Sequence, residues 1–210
     1  MTDTAISPSR PDQSAPQDRH NLAPIFISHG SPMLVARQST PAFDFFVGNL
    51  SRHTDGVRAI LMVSAHWQTA EPTISTAARQ ETIHDFYGFP QPLYQLHYDV
   101  AGDPALARQI ADQIGCATDD ARGLDHGAWM PLILARPNAD IPVFQLSMLA
   151  HGGPADHFEL GKKLRGLRDL GVLVVASGAM THNLRALDRH EGPIDPWAIE
   201  FTTWMIDRVR

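Results

Sequence analysis

Two uninterrupted apolar runs constrain this chain more than any other feature. Residues 58–64 read Arg-Ala-Ile-Leu-Met-Val-Ser, and residues 172–176 read Val-Leu-Val-Val-Ala. A strand with one wet face alternates apolar and polar side chains, whereas a run without alternation is the kind buried on both faces of a parallel sheet. Two further strand candidates lie at residues 24–28, Pro-Ile-Phe-Ile-Ser, and at residues 141–148. Between them come helical patterns. One opens at Thr40-Pro41 and runs to about His53, with Phe43, Phe46, Val47 and Leu50 on one face; another opens at Asp103-Pro104 and reaches about Ile114. Residues 154–167 form a third. A fourth starts at Pro196 and carries Trp197, Phe201, Trp204 and Met205 at helical spacing. Residues 72–77 are a further strand candidate, residues 83–92 an aromatic loop, and residues 93–100 an alternating run. Strands separated by helices predict an α/β fold, a three-layer α/β/α sandwich around a mostly parallel sheet.

The chain has 210 residues, enough for one domain with a sizeable core and cramped for two. Residues 1–22, rich in Ser, Pro, Asp and Gln and without an apolar core segment, read as a disordered tail and not a secretory signal. Residues 23–210 read as a single catalytic domain. A net charge of -6 supplies no basic stripe for phosphates and no attraction to an anionic membrane, so neither nucleic acid nor membrane is expected as a partner. No apolar run approaches the roughly 20 residues of a spanning helix. The single cysteine, Cys116, leaves no internal disulfide and suits a reducing compartment, so a cytoplasmic location is expected. Oligomeric state stays open, because Trp197 and Trp204 would serve equally to cover a core or an interface.

Eleven histidines are many for a chain this long, and their placement matters more than their number. Ligands of open parallel sheets gather at the carboxyl ends of the strands. His29, His66 and His182 each stand at or just past such an end, so three segments deliver an imidazole to one sheet edge. One histidine in a turn is ordinarily a hydrogen-bonded loop residue; three on one edge are a different matter. His29 and His126 are each followed by glycine, Gly178 lies near His182, and Ser28, Ser64 and Ser177 are small where the chain leaves the sheet. Neutral imidazole is the commonest protein ligand for zinc, iron and copper. No His-x-x-x-His or Cys-x-x-Cys occurs at these positions. A site assembled from distant strand ends resembles open catalytic centres more than closed structural ones. His20, His53, His151, His157 and His190 sit in polar or helical surface contexts and carry no role. Other chemistries fit less well: there is no Gly-x-Ser-x-Gly elbow, no P-loop, and no Gly-x-Gly-x-x-Gly after the first strand.

Five blocks then stand in order: Phe26-Ile-Ser-His29-Gly-Ser-Pro-Met33, Val63-Ser-Ala-His66-Trp67, His84-Asp-Phe-Tyr-Gly-Phe-Pro90, Leu124-Asp-His126-Gly-Ala-Trp129 and Ser177-Gly-Ala-Met-Thr-His182-Asn-Leu184. They resemble the successive blocks of the class III extradiol ring-cleavage dioxygenases, in the 4,5-DOPA dioxygenase-like branch, and extend over nearly all of residues 24–205. The resemblance implies a small aromatic diol and O2 as substrates. It implies Fe(II) for catalysis, with Zn(II) accommodated in the same site. By the same likeness His29 and His66 are metal ligands, and His126 and His182 line the substrate side. His182 is the implied acid/base and His126 a hydrogen-bond partner of the developing oxyanion or of the ring hydroxyl. The family pattern continues with a His-Pro…Glu-His segment that supplies the remaining ligand. Those residues are not among the 210, and His182 is the candidate for that place. Two other readings fit the residues, a metal-dependent hydrolase using zinc-bound water and a relative whose site is inactive.

Overall fold

A computed structural model describes residues 22–186 and 193–209. The expected tail, apart from Leu22, lies outside the described residues, as do His20 and His190.

Four strands form the central sheet: β1 (Ile25–Ser28), β2 (Ala59–Ser64), β3 (Val143–Gln145) and β4 (Val172–Gly178). Their order is β1-β4-β2-β3 and every pairing is parallel. The absence of alternation in β2 and β4 now has its cause. Ile60, Met62, Leu173 and Val175 point into one core with Phe46, Leu50 and Trp129. Ala59, Leu61 and Val172 point into a second core with Leu106, Ile110 and Leu164. Helices lie against both faces of the sheet, with Phe26 of β1 left half exposed, and the three-layer α/β sandwich is the observed fold.

The first core is closed by the helical stretch 41–53 and by α2 (His126–Ala135); the second by α1 (Pro104–Ile114) and α3 (Pro154–Lys163). The N-caps act as their sequence suggested. Thr40 accepts from the N–H of Phe43 at 3.2 Å, and Asp103 from that of Leu106 at 3.0 Å. The middle of the 41–53 stretch winds as a π-turn, Phe45–Leu50.

Four local expectations change. Thr73–Ser75 is a strand, but it pairs with Ala117–Asp119 away from the central sheet. The alternating run 93–100 is mostly not strand: Gln91–Gln95 is a 3-10 turn and only Val100–Ala101 pairs. The candidate 141–148 breaks into β3 and a short Met148–Leu149 strand beside Gln68–Thr69. Helix α2 is an addition, with Gly127 in its first turn and Pro131 in its interior. The last expected helix is present as α4 (Pro196–Val209), with Trp197, Phe201 and Trp204 exposed. Among the described residues no helix is long and apolar enough to cross a membrane.

Candidate metal centre

Strand order places the site. β4 lies between β1 and β2, so the residues that follow β1 and β2 flank the end of β4. The ladder runs one position beyond the strands: the N–H of His29 donates to Gly178 O at 3.0 Å, and that of Ala65 to Ser177 O at 3.0 Å. His29 is buried and His66 stands on the open side of the same edge. The first residue of α2 brings in His126, also buried. One nitrogen from each of the three rings lies within 4.8 Å of the others. The His66 and His126 ring centroids are 4.0 Å apart, and His29 is 5.0 and 5.3 Å from them.

The hydrogen bonds around these rings decide where their protons sit. Pro131 has no N–H, so the carbonyl four residues earlier, that of Gly127, lacks its helical donor. The Ser177 hydroxyl donates to it instead. Its hydrogen thus committed, Ser177 Oγ accepts from Nδ1–H of His29 at 2.9 Å, and Nε2 of His29 is left bare. His126 likewise gives its Nδ1–H to Asp85 Oδ1 at 2.9 Å, which frees its Nε2. His66 turns Nδ1 toward Asp85 Oδ2 at 3.8 Å, and its Nε2 meets that of His29 at 3.1 Å.

Electrostatics favour the same state. Burial, then repulsion from His126, His66 and His182, lowers the His29 pKa to about 3 in spite of Asp85. Burial first, then His126, lowers that of His66. Both imidazoles are therefore neutral at physiological pH, the form that ligates. For Asp85, burial pushes the carboxyl up, but the side-chain and backbone hydrogen bonds from His126 outweigh it and leave a pKa of about 2.

An all-imidazole donor set suits zinc or iron. A gap of 3.1 Å between His29 and His66 is what two nitrogens about 2 Å from one cation would show. The residues present fit a mononuclear metal.

The backbone beneath is buttressed by a buried charge. Ser64 Oγ accepts from the N–H of His66 at 3.2 Å and donates to Asp125 Oδ1 at 2.6 Å. Asp125, fully buried, takes Arg122 on its other oxygen at 2.9 Å. Gly127 lets α2 approach, since a Cβ there would stand 2.5 Å from Ser64 Oγ, 3.0 Å from His66 and 3.1 Å from His29. Ser177→Ala would free the Gly127 carbonyl and the Nδ1–H of His29 together. Two buried polar groups without partners make a loss of about 1–3 kcal/mol the expected result in urea unfolding.

Of the sequence-derived site residues, His29, His66 and His126 come together. His182 is exposed on the loop after β4 and is not in the three-nitrogen group, though it is near enough to depress His29 and His66. Asp85 and the relay role of Ser177 were not assigned from sequence. The available signal for Asp85 was a carboxylate inside an otherwise aromatic loop. That loop forms a wall beside the nest: Phe86 is 5.7 Å from the His126 ring, edge to face, 5.4 Å from Phe89 and 5.1 Å from Tyr94. His84 packs 5.7 Å from Trp129 and meets Leu96 O at 2.9 Å. A separate apolar cavity of about 770 Å³ lies between the sheet and α3, lined by Phe26, Val63, Val174, Ala176, Leu160 and Leu164. None of His29, His66 and His126 lines it.

The fold and nest together define a parallel α/β protein with a three-histidine centre at the carboxyl edge of its sheet. Residues 23–210 match the family described as the catalytic LigB subunit of aromatic ring-opening dioxygenase. A Beta vulgaris protein named 4,5-DOPA dioxygenase extradiol is 41% identical over 187 residues, covering 86% of this chain and 70% of the relative. An Escherichia coli K12 protein of the same name is 40% identical, covering 86% and 68%. The crystal structure of an uncharacterized Escherichia coli K12 protein superposes with a TM-score of 0.71 at 32% identity, covering 87% of this chain and 70% of that one. The chain belongs to the LigB family of class III extradiol dioxygenases.

Proposed function

We propose that this chain opens the ring of a small, DOPA-like catechol beside its diol, with O2 as co-substrate, at a mononuclear non-haem metal. The observation that carries the reading is the convergence of three histidine nitrogens at the sheet edge, under an aromatic wall. The names of the relatives at about 40% identity support the same chemistry. His29 and His66 hold the metal, and His126 offers the nearest further nitrogen. Fe(II) is the metal proposed for turnover, and Zn(II) fits the same donors. When bound, the metal supplies Lewis acidity that lowers the pKa of the diol and gives both reactants one meeting point.

The chain's own residues do the rest. Phe86, Phe89 and Tyr94 present faces and edges against which a flat ring can lie. With Nδ1–H given to Asp85, Nε2 of His126 turns a lone pair into the nest, so it can complete the donor set but has no hydrogen to give to a developing oxyanion. His182, at the exposed rim, is the side chain free to take the phenolic proton and return it, work suited to an imidazole. Both atoms of O2 enter the product, a muconic semialdehyde.

The test is anaerobic Fe(II) loading followed by air and either DOPA or protocatechuate. Yellow semialdehyde and stoichiometric oxygen uptake are expected, with both lost in His66→Ala. Bound metal with no oxygen uptake on a panel of catechols would overturn the reading.

A further inference from the structure

We infer that Asp85 is a positioning residue: its carboxylate holds His126 in the tautomer that turns a bare Nε2 into the nest, and fastens the aromatic loop to the first turn of α2. The inference rests on reading the nest as a metal centre, and three observations carry it.

Asp85 Oδ1 accepts twice from His126, from the backbone N–H at 2.9 Å and from Nδ1–H at 2.9 Å. That N–H is among the orphan donors of the first turn of α2. The usual supplier of a cap, Asp125, is engaged elsewhere, with its oxygens on Ser64 and Arg122. A residue 41 positions upstream takes its place, and the same oxygen then fixes the ring.

The second oxygen of Asp85 faces Nδ1 of His66 at 3.8 Å. One carboxylate thus looks onto the outer nitrogens of two of the three rings. A neutral imidazole has one N–H, and whichever nitrogen gives it to a carboxylate leaves the other a lone pair. His126 gives its Nδ1–H to Asp85 and keeps the lone pair on its inner nitrogen, whereas at 3.8 Å the carboxylate makes no hydrogen bond to His66 and acts on it through charge alone. Carboxylate partners of this kind orient metal-bound histidines.

Asp85 is also flanked by His84 and Phe86, whose rings rest on Trp129 and His126, each at 5.7 Å. The aromatic wall and the carboxylate arrive on one loop, so the substrate face and the metal face are set by the same contact.

A plain structural cap would make no demand on the ring proton, and this separates the two roles. The experiment compares the full chain with Asp85→Ala and Asp85→Asn, reading Zn(II) affinity by chelator competition and the His126 tautomer by imidazole 15N NMR. Asp85→Ala is expected to weaken zinc by about 10–100-fold and to move His126 toward the Nε2–H form. Asp85→Asn keeps an acceptor oxygen and is expected to preserve the tautomer and recover most of the affinity. An alanine variant that is folded, binds zinc as tightly as the parent and keeps Nδ1–H overturns the inference. Should the alanine variant not fold, the parent decides alone, because a His126 protonated on Nε2 there overturns it equally. A parent chain that binds no zinc would sink the metal-centre reading, while the apo tautomer would still judge Asp85.

Discussion

Gly127→Ala is expected to cost the protein most of its metal affinity although it replaces no proposed ligand. The added methyl would stand 2.5 Å from Ser64 Oγ, 3.0 Å from His66 Cδ2 and 3.1 Å from His29 Cε1. None of these neighbours is the loose end of a flexible side chain. Ser64 Oγ is held by the N–H of His66 and by buried Asp125, and His29 by Ser177. The strain must therefore be relieved by moving α2 outward or by turning the two imidazoles. Either response separates His126 from His29 and His66. Overpacking of this kind costs about 1–3 kcal/mol. The larger effect falls on affinity, because three nitrogens that no longer converge cannot share one cation. Zinc competition against a chromophoric chelator, paired with urea unfolding, checks both. Parent-like zinc binding would mean that the nest is more plastic than its hydrogen bonds suggest.

His29→Ala is expected to abolish metal binding more fully than any partner substitution. Losing a residue that only orients a ligand typically costs about 10–100-fold in affinity, so losing a ligand should exceed about 100-fold. His29 is the deepest of the three rings, and its Nδ1–H is committed to Ser177. No neighbouring nitrogen can swing into its place, since His182 lies at the exposed rim and His126 already belongs to the group. His53→Ala, at an exposed position on the 41–53 stretch, is the matched control and should leave zinc affinity unchanged. Equal metal content in His29→Ala and the control would remove His29 from the ligand set.

The elements most legible in the sequence were those whose signal is local. Strands β2 and β4 announce themselves because both of their faces are buried, which strips polar residues from the run. Thr40 and Asp103 cap helices through their own side chains, within three residues of the N–H they satisfy. Helix α2 escaped for a physical reason. It is buried on nearly every side, so it has no polar face and no 3.6-residue pattern, and Gly127 and Pro131 both argue against a helix. The run 93–100 misled in the opposite sense. Its alternation suggests a strand, but Pro92 and the turn at Gln91–Gln95 take the backbone out of extended geometry.

The candidate site divides in the same way. His29 and His66 were visible because each stands just past the carboxyl end of a strand, and parallel strands bring such residues to one edge whatever their separation in sequence. His182 follows the same rule, yet it stays exposed outside the three-nitrogen group. His126 joins that group, and this depends on an unforeseen helix approaching through the space left by Gly127. Strand type, layer architecture and the edge that bears the chemistry are thus determined by the sequence alone, because burial on two faces writes itself into consecutive residues. Which imidazoles meet, and which nitrogen of His29 and of His126 is bare, was decided only by tertiary structure. Those outcomes depend on Asp85, Ser177 and Pro131 acting across the fold, and contacts of that range leave no period in the sequence.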